Sequence, residues 1–386
     1  MRTLLTAATS LIALATAAQA QPDGWTDAEI AELDTSIQQM MAEEEVVGLA
    51  YALIDRGEVA HVAAFGYRNR ENAWPLETDT VMYGASLTKA AFAYYVLMLV
   101  DDGLLDLDTS IADYLPRPLP EYAEGDDDWS DLADQPQWRE LTPRIILSNG
   151  TGFANFRWLE ADRRLQFHFA PGERQTYSAE GFYILQHVIE EGLGLDLKAE
   201  MQRRIFDRFG MANTSMQWRP DFRENLADGY AMDGTFEPHD ERSGVSAAGS
   251  MDTTIADQAR MWAGFIAGEG LSDAARAEFV APSQTIRSPS QFPTLTTQED
   301  PRAAEIDLAG GLGVIVYRDD NGVWFDKGGH NPWTGNRAIC HEATQRCIVL
   351  LANSVRAELI YPAITEMAMG ENPVPWWWIY PDQFAE

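Results

Sequence analysis

Residues 84–100 read GASLTKAAFAYYVLMLV and predict a helix at about 86–102 that is apolar on every side. Side chains three positions apart share one face of a helix, so Lys89 lies one turn beyond Ser86. The positive end of the helix favours an alkoxide at Ser86, and a lysine among apolar neighbours has a lowered pKa and can accept a proton. The stretch therefore predicts a nucleophilic serine; a serine that only caps the helix is the alternative.

Two later stretches carry residues suited to the same chemistry. Tyr177 lies in a loop before a predicted helix, where a phenol near a lysine can relay a proton or can simply be structural. Lys327 ends a predicted strand, and Gly328 and Gly329 after it let a substrate backbone approach the strand edge. This lysine could bind a substrate carboxylate, and a backbone N–H just beyond it could stabilise an oxyanion. A bulge with a surface lysine is the alternative.

Strand patterns occur at both ends of the chain, with helices between them. The predicted strands are 46–54, 58–65, 312–317, 323–327, 337–340 and 347–352, and the other predicted helices are 25–44, 253–267 and 357–368. This distribution predicts a mixed α/β (α+β) fold: one antiparallel sheet built from both chain ends and flanked by helices, with a mostly helical insertion at about 105–250. Residues 117–138 are rich in Pro, Asp and Glu and predict an exposed loop.

The chain has 386 residues and a formal net charge of −32. This excess of acid argues against nucleic acids and anionic membrane surfaces, because both bind basic patches. Residues 1–20 combine a basic residue, an apolar stretch and a small-x-small cleavage site after Ala20, which predicts an export signal without a lipid anchor. We therefore expect a periplasmic or secreted protein whose main domain spans 21–370. A tail at 371–386 carries three consecutive tryptophans at 376–378, which either meet a membrane interface or pack on the body.

The two cysteines, Cys340 and Cys347, lie on either side of a predicted hairpin turn. An oxidising compartment would allow a disulfide between them, whereas strained geometry would forbid it. No metal or cofactor is expected. His341 and Glu342 begin like a zinc-protease helix, but the second histidine of that motif is missing, and the sequence contains no phosphate loop or dinucleotide fingerprint.

Together the three motifs resemble those of the penicillin-recognising serine hydrolases. This superfamily includes class C β-lactamases, D-Ala-D-Ala carboxypeptidases, D-aminopeptidases and family VIII carboxylesterases, and its pattern is Ser-x-x-Lys, then Tyr-x-Asn, then Lys/His-Thr/Gly-Gly. Two of the three lysines in the chain occupy motif positions. Stretches similar to the family's other landmarks cover nearly all of the mature chain, at 48–50, 66–67, 103–107, 114–116, 147–153, 209–215 and 247–251. The resemblance implies a β-lactamase/transpeptidase-like fold.

Carried over residue by residue, the resemblance also implies roles. Ser86 would be the nucleophile, and Lys89 would help to deprotonate it. Tyr177 would be the general base for acylation and the acid for the leaving group. The backbone N–H groups of Ser86 and His330 would form the oxyanion hole, and Lys327 would orient a carboxylate or polarise Tyr177.

One position departs from the family pattern. The asparagine of the second motif is Ala179 here. In the family that asparagine usually hydrogen-bonds the motif lysine and the acylamino side chain of the substrate, and alanine can do neither. The change argues against efficient β-lactam hydrolysis but leaves the Ser–Lys–Tyr set complete.

These features lead us to expect an exported serine hydrolase that cleaves a small ester, amide or D-amino-acid peptide through an acyl-enzyme. Lys327 favours a substrate with a carboxylate, whereas Ala179 argues against a β-lactam, and the two signals conflict. A β-lactamase or D-Ala-D-Ala carboxypeptidase is the alternative among enzymes. A non-catalytic binding protein on the same fold is the alternative from another class.

Overall fold

The computed structural model describes residues 24–125 and 127–384. The predicted export signal lies outside the described residues. The α-helices are α1 (Asp27–Glu43), α2 (Leu87–Asp101), α3 (Pro143–Leu147), α4 (Ala179–His187), α5 (Leu197–Met201), α6 (Ile255–Ala267), α7 (Asp273–Phe279), α8 (Arg302–Glu305), α9 (Tyr361–Met369) and α10 (Trp376–Ile379). The helix predicted at 357–368 begins as a 3₁₀ turn, Val355–Leu359, and continues as α9.

The strands confirm the antiparallel sheet expected from both chain ends. They are β1 (Gly48–Asp55), β2 (Glu58–Asn69), β3 (Trp74–Pro75), β4 (Met82–Tyr83), β5 (Ala123–Glu124), β6 (Asp127–Asp128), β7 (Gly229–Tyr230), β8 (Phe236–Glu237), β9 (Asp252–Thr253), β10 (Gln284–Thr285), β11 (Ala309–Gly310), β12 (Ile315–Asp319), β13 (Gly322–Asn331), β14 (Thr334–His341) and β15 (Arg346–Ala352). In the described part of the chain, nine strands form the main sheet in the order β10-β11-β12-β13-β14-β15-β1-β2-β3. The first strand therefore lies beside the last, with Leu49 opposite Ala352.

The sheet is the middle of three layers. Successive side chains of a strand point to opposite faces, and those of β1 are buried on both faces. Ala50 and Ala52 pack in a core with α2 and α6. Leu49 and Leu53 pack in a second core with α1 and α9. Burial on both faces explains why β1 reads as a nearly continuous apolar run.

Helix α2 is the central helix of the first core. Every residue from Leu87 to Leu99 is buried, which confirms the prediction of a helix that is apolar on all sides. Lys89 is the one charged residue in that run. Packing against apolar neighbours therefore does not explain why a lysine occupies this position.

The prediction of an exposed loop at 117–138 is partly wrong. It forms 3₁₀ turns and the β5–β6 hairpin, and it buries Trp129 and Trp138 in the first core. Large aromatic side chains bury enough apolar surface to hold an otherwise acidic segment against the body. The surrounding insertion is built from short helices rather than long ones.

The C-terminal third contains a disulfide, which follows from the sheet register, and a tail that packs on the body. Cys340 lies opposite Cys347 in the β14–β15 pair, and a disulfide joins them. The tryptophan tail packs on the protein body, with Trp378 buried in the second core. Among the described residues, none of the helices combines the length and apolarity that a membrane crossing requires.

Candidate active site

Ser86 lies at the junction between β4 and α2. The residue before it, Ala85, has a φ of 47°, a left-handed conformation that side chains with a Cβ seldom adopt and that often occurs at functional sites. Ser86 directly precedes α2, but its side chain makes no capping hydrogen bond. Its Oγ instead accepts a hydrogen bond from Lys89 Nζ at 3.3 Å. The hydroxyl therefore faces the lysine rather than the end of the helix.

Lys89 is held in place by a second acceptor. Its Nζ donates to the carbonyl oxygen of Ala248 at 2.7 Å, and only 2% of the residue is exposed. Burial lowers the pKa of Lys89 well below its usual value, and the nearby charge of Lys327 acts in the same direction. A neutral amine at this position can accept the proton of Ser86.

Tyr177, just before α4, lies between the two lysines. Its ring centroid is 5.1 Å from the Nζ of Lys89 and 5.1 Å from the Nζ of Lys327. Lys327 Nζ donates to its hydroxyl at 3.4 Å. Burial raises the pKa of Tyr177 to about 12, although a hydrogen bond with Ser86 opposes this rise. The phenol therefore keeps its proton at neutral pH, beside both Ser86 and Lys327.

Lys327 lies on β13 above a buried ion pair. Its Nζ also donates to the carbonyl oxygen of Gly328 at 2.8 Å. Its pKa is lowered to about 7 by burial and by the positive charge of Arg337, while Asp326 opposes this change. Arg337 pairs with Asp326 beneath the strand, and both side chains are buried. Lys327 is thus a lysine that changes charge near neutral pH.

Gly329 permits the close contact of β13 with the backbone around Ser86, and Gly328 leaves space for Arg337. A Cβ on Gly329 would lie 2.4 Å from the carbonyl oxygen of Gly84 and 3.1 Å from the backbone nitrogen of Leu87. A Cβ on Gly328 would lie 2.5 Å from Nη2 of Arg337. These positions therefore favour glycine because the neighbouring backbone and guanidinium leave no room for a side chain.

The register of β13 directs two backbone N–H groups towards an open edge. Asn331 and Thr334 pair on either side of a two-residue turn between β13 and β14. Every second residue of β13, counted back from Asn331, therefore makes its backbone hydrogen bonds with β14. The N–H groups of Gly328 and His330 then face the other edge. On that edge, in the described part of the chain, β12 pairs with β13 only as far as Asp326.

Phe292, a groove and Ala179 lie next to this cluster. The ring of Phe292 packs edge-on against Tyr177 at 5.6 Å between centroids, and 48% of Phe292 is exposed, so it forms an apolar wall at the mouth of the site. A groove of about 480 Å³ lies alongside, and its lining includes Tyr83, Arg242 and Trp333. At position 179, the buried alanine offers no side-chain polar group, and its N–H donates to the carbonyl oxygen of Asn155.

The structure thus brings Ser86, Lys89, Tyr177 and Lys327 together and directs the N–H of His330 to the open edge of β13, but it also adds groups that the sequence analysis missed. Ala248 lies in a stretch quoted only as a family landmark, although its carbonyl holds Lys89. No local sequence pattern marks Arg337, Asp326 or Phe292 as residues of the site. Each acts through a contact that depends on strand register or on a distant loop.

Comparisons with known proteins identify the family and the fold. The model of the Beta-lactamase family matches residues 33–362. Esterase EstB of Burkholderia gladioli is 29% identical over 196 residues, which cover 47% of this chain and 50% of the esterase. Lovastatin esterase of Penicillium rubens is 28% identical over 220 residues, which cover 50% of this chain and 54% of that enzyme. The chain therefore spans about half the length of the curated relatives it matches.

A solved structure extends the likeness to most of the fold. D-alanine carboxypeptidase AmpC from Burkholderia cenocepacia superposes with a TM-score of 0.70, over 89% of this chain and 99% of that chain. Its sequence is 17% identical. At this identity the match supports the β-lactamase/transpeptidase-like fold alone.

Proposed function

The chain belongs to the Beta-lactamase family, and from that premise we propose that it is a serine hydrolase that cleaves a small ester or amide through an acyl-enzyme on Ser86. The observation that carries the proposal is the hydrogen bond from buried Lys89 to the Ser86 hydroxyl, with Tyr177 beside both. We also propose that the enzyme acts in the periplasm or outside the cell, because residues 1–20 have the pattern of an export signal.

The proposed acylation uses the two protonation states described above, with Lys89 as the base in place of Tyr177, for which the family resemblance implies that role. Ser86 Oγ bonds to the carbonyl carbon while its proton passes to the neutral amine of Lys89. Tyr177 gives its phenolic proton to the leaving alcohol or amine as the bond to that group breaks, and the Lys89 ammonium reprotonates it. Water then attacks the acyl carbon, its proton passes to the Lys89–Tyr177 pair, and Ser86 leaves with a proton. The N–H groups of Ser86 and His330 are proposed to stabilise the oxyanion in both steps.

We propose a carboxylesterase-like or D-amino-acid-peptide activity rather than strong β-lactam hydrolysis. Ala179 lacks the amide that would bind an acylamino side chain, and the exposed ring of Phe292 offers an apolar contact to a leaving group. Lys327 donates to Tyr177 and to Gly328, which supports a role in polarising the phenol. Two of the matched relatives are named as esterases.

A β-lactamase or D-Ala-D-Ala carboxypeptidase is the second candidate. Lys327 favours it, because its ammonium lies beside Tyr177 and could bind a substrate carboxylate. A non-catalytic binding protein is the candidate from another class. The burial of Lys89, which lowers its pKa, argues against it, because burying a lysine amine costs stability that a binding scaffold has no need to lose.

The intact mass of the protein, followed during incubation with benzylpenicillin or p-nitrophenyl butyrate, separates these candidates. We expect turnover of the ester and no lasting adduct from the penicillin. A lasting penicillin adduct on Ser86 would instead identify a carboxypeptidase, and an adduct that clears with lactam hydrolysis would identify a β-lactamase. A folded protein that turns over neither compound and takes no fluorophosphonate label would support the binding protein.

Replacing Tyr177 by phenylalanine is expected to lower kcat/KM for ethyl butyrate by about 10²-fold, because the ring stays packed while the proton that the ethoxide leaving group needs is no longer supplied. Release of butyric acid, followed in a pH-stat, checks this step. Phe182 packs near Lys89 at 5.3 Å from Nζ, so Phe182→Leu serves as a control for altered packing in the same pocket. A rate for Tyr177→Phe equal to that of wild type would remove the phenol from the mechanism.

A further inference from the structure

The C-terminal tail places two aromatic rings against Arg337, the partner of Asp326. We propose that Trp376 and Tyr380, here called the aromatic clamp, position Lys327 by holding Arg337 against the strand that carries it. Lys327 is the residue acted upon, Arg337 is the intermediary, and the clamp residues are positioning residues. The inference rests on the proposed function for its link to catalysis, but the contacts stand independently of any substrate.

The two stacked rings of the clamp lie beside the guanidinium of Arg337. The ring centroids of Trp376 and Tyr380 lie 6.0 Å and 5.3 Å from Cζ of Arg337. The two rings are nearly parallel, at 10° and 6.1 Å between centroids. Aromatic faces attract a guanidinium, and more strongly where water is excluded. Arg337 is 5% exposed, so the clamp forms part of its cover.

Arg337 in turn contacts the strand at the position of the active lysine. It lies opposite Gly328 in the β13–β14 pair, and a Cβ on Gly328 would meet its Nη2 at 2.5 Å. It also pairs with Asp326, the residue before Lys327. The guanidinium is therefore fixed against the backbone on both sides of Lys327, so displacing it would change the position and the charge environment of the lysine.

The charges around this pair determine the sign of the effect. The groups facing Arg337 and Lys327 are Asp326 and His330 on β13, Tyr317 on β12, Glu358 in the 3₁₀ turn, Tyr361 on α9, Tyr177 before α4, Lys89 on α2 and Tyr380 of the clamp. Burial is the main cause of the lowered pKa of Lys327, and Arg337 is the second. If the clamp is lost, water reaches Arg337 and screens its charge, so the pKa of Lys327 rises.

The clamp can be altered without releasing the tail, because a different residue, Trp378, anchors the tail. Trp378 is buried at 1% exposure. Its Nε1 donates to Ser288 Oγ at 3.0 Å, and its carbonyl accepts from the backbone N–H of Gln291 at 2.9 Å. Trp377 provides a matched control, since it is half-buried like Trp376 but packs against Arg302 at 4.2 Å.

The experiment compares Trp376→Ala, Trp376→Phe and Trp377→Ala in the full chain. The chain has only three lysines, so protein labelled with ¹³C-lysine gives three side-chain signals. The Lys327→Met variant assigns the one from Lys327. We expect the pKa of Lys327 to rise by about 0.5 to 1 unit in Trp376→Ala. It should stay near the wild-type value in Trp377→Ala and return towards it in Trp376→Phe.

Ester hydrolysis supplies the second readout. Loss of the Lys327 proton should produce the alkaline limb of the kcat/KM profile, so this limb moves to higher pH in Trp376→Ala by the same amount. Equal Lys327 titrations in Trp376→Ala and Trp377→Ala would overturn the inference, even if both variants were less stable. If Trp376→Ala fails to fold, Tyr380→Leu is titrated instead under the same criteria. A wild-type protein without hydrolysis would refute the proposed function, while the lysine titration would still decide the role of the clamp.

Discussion

Ser86→Ala is expected to lower kcat for ester hydrolysis by roughly 10⁴-fold or more and to abolish the fluorophosphonate adduct, because removing a nucleophile eliminates the covalent route. The substitution removes one oxygen whose side chain makes no helix cap. The thermal midpoint should therefore change little. Intact-mass spectrometry and initial rates, measured on the same preparation, check both expectations.

The nearest other hydroxyl in this helix turn is Thr88, which defines the outcome that would contradict the assignment. Thr88 Oγ1 donates to the carbonyl oxygen of Ala85 at 2.6 Å and accepts from the N–H of Met251 at 3.1 Å. Both of these bonds are internal to the fold, so it should not take over as nucleophile. A fluorophosphonate adduct mapped to Thr88, or activity retained in Ser86→Ala, would remove Ser86 from its proposed role.

Lys89→Met has the second largest expected effect, a loss of about 10³-fold in kcat/KM. Methionine keeps a long apolar side chain in the buried site but cannot accept the proton of Ser86. Because burial lowers the pKa of Lys89, the wild-type enzyme should lose activity as the pH falls through that value and the amine becomes charged. The variant should lack this acid limb, and a pH–rate profile of the residual activity checks it.

The third lysine supplies the matched control for this experiment. Lys198 is exposed and donates to Gln217 on the surface, so Lys198→Met should leave both the rate and the pH profile unchanged. Stability provides a separate expectation. Removing a buried amine in favour of an apolar side chain should not lower the thermal midpoint of Lys89→Met. A variant with a wild-type rate, or with the acid limb intact, would contradict the proposed role of Lys89.

Much of the fold could be predicted because its signals are local. The apolar run of α2, the hairpin turns of the late strands and the strand patterns at both ends each depend on neighbouring residues, and the structure places elements close to the predicted positions. The relation between Ser86 and Lys89 was accessible for the same reason, since helical spacing alone brings i and i+3 together. Tyr177 and Lys327 depended on a family resemblance, because nothing local brings them to Ser86.

The remaining features could not be predicted because they depend on long-range contacts. Arg337 meets Asp326 only when β13 and β14 pair in one particular register, and a shift of one residue would send it to the other face. Trp376 contacts Arg337, and Phe292 contacts Tyr177, from segments without a periodic sequence pattern. The acidic stretch 117–138 was misread because its composition suggests exposure, whereas its tryptophans determine its packing.

The pairing of β1 with β15 also governs the order in which this chain can fold during synthesis. Leu49 pairs with Ala352, so β1 leaves the ribosome about 300 residues before the strand with which it pairs. Until then the nascent chain exposes an apolar strand edge. High contact order of this kind slows folding. We therefore expect hydrolytic competence to appear late and all at once, and the unfinished chain to depend on chaperones that shield that edge.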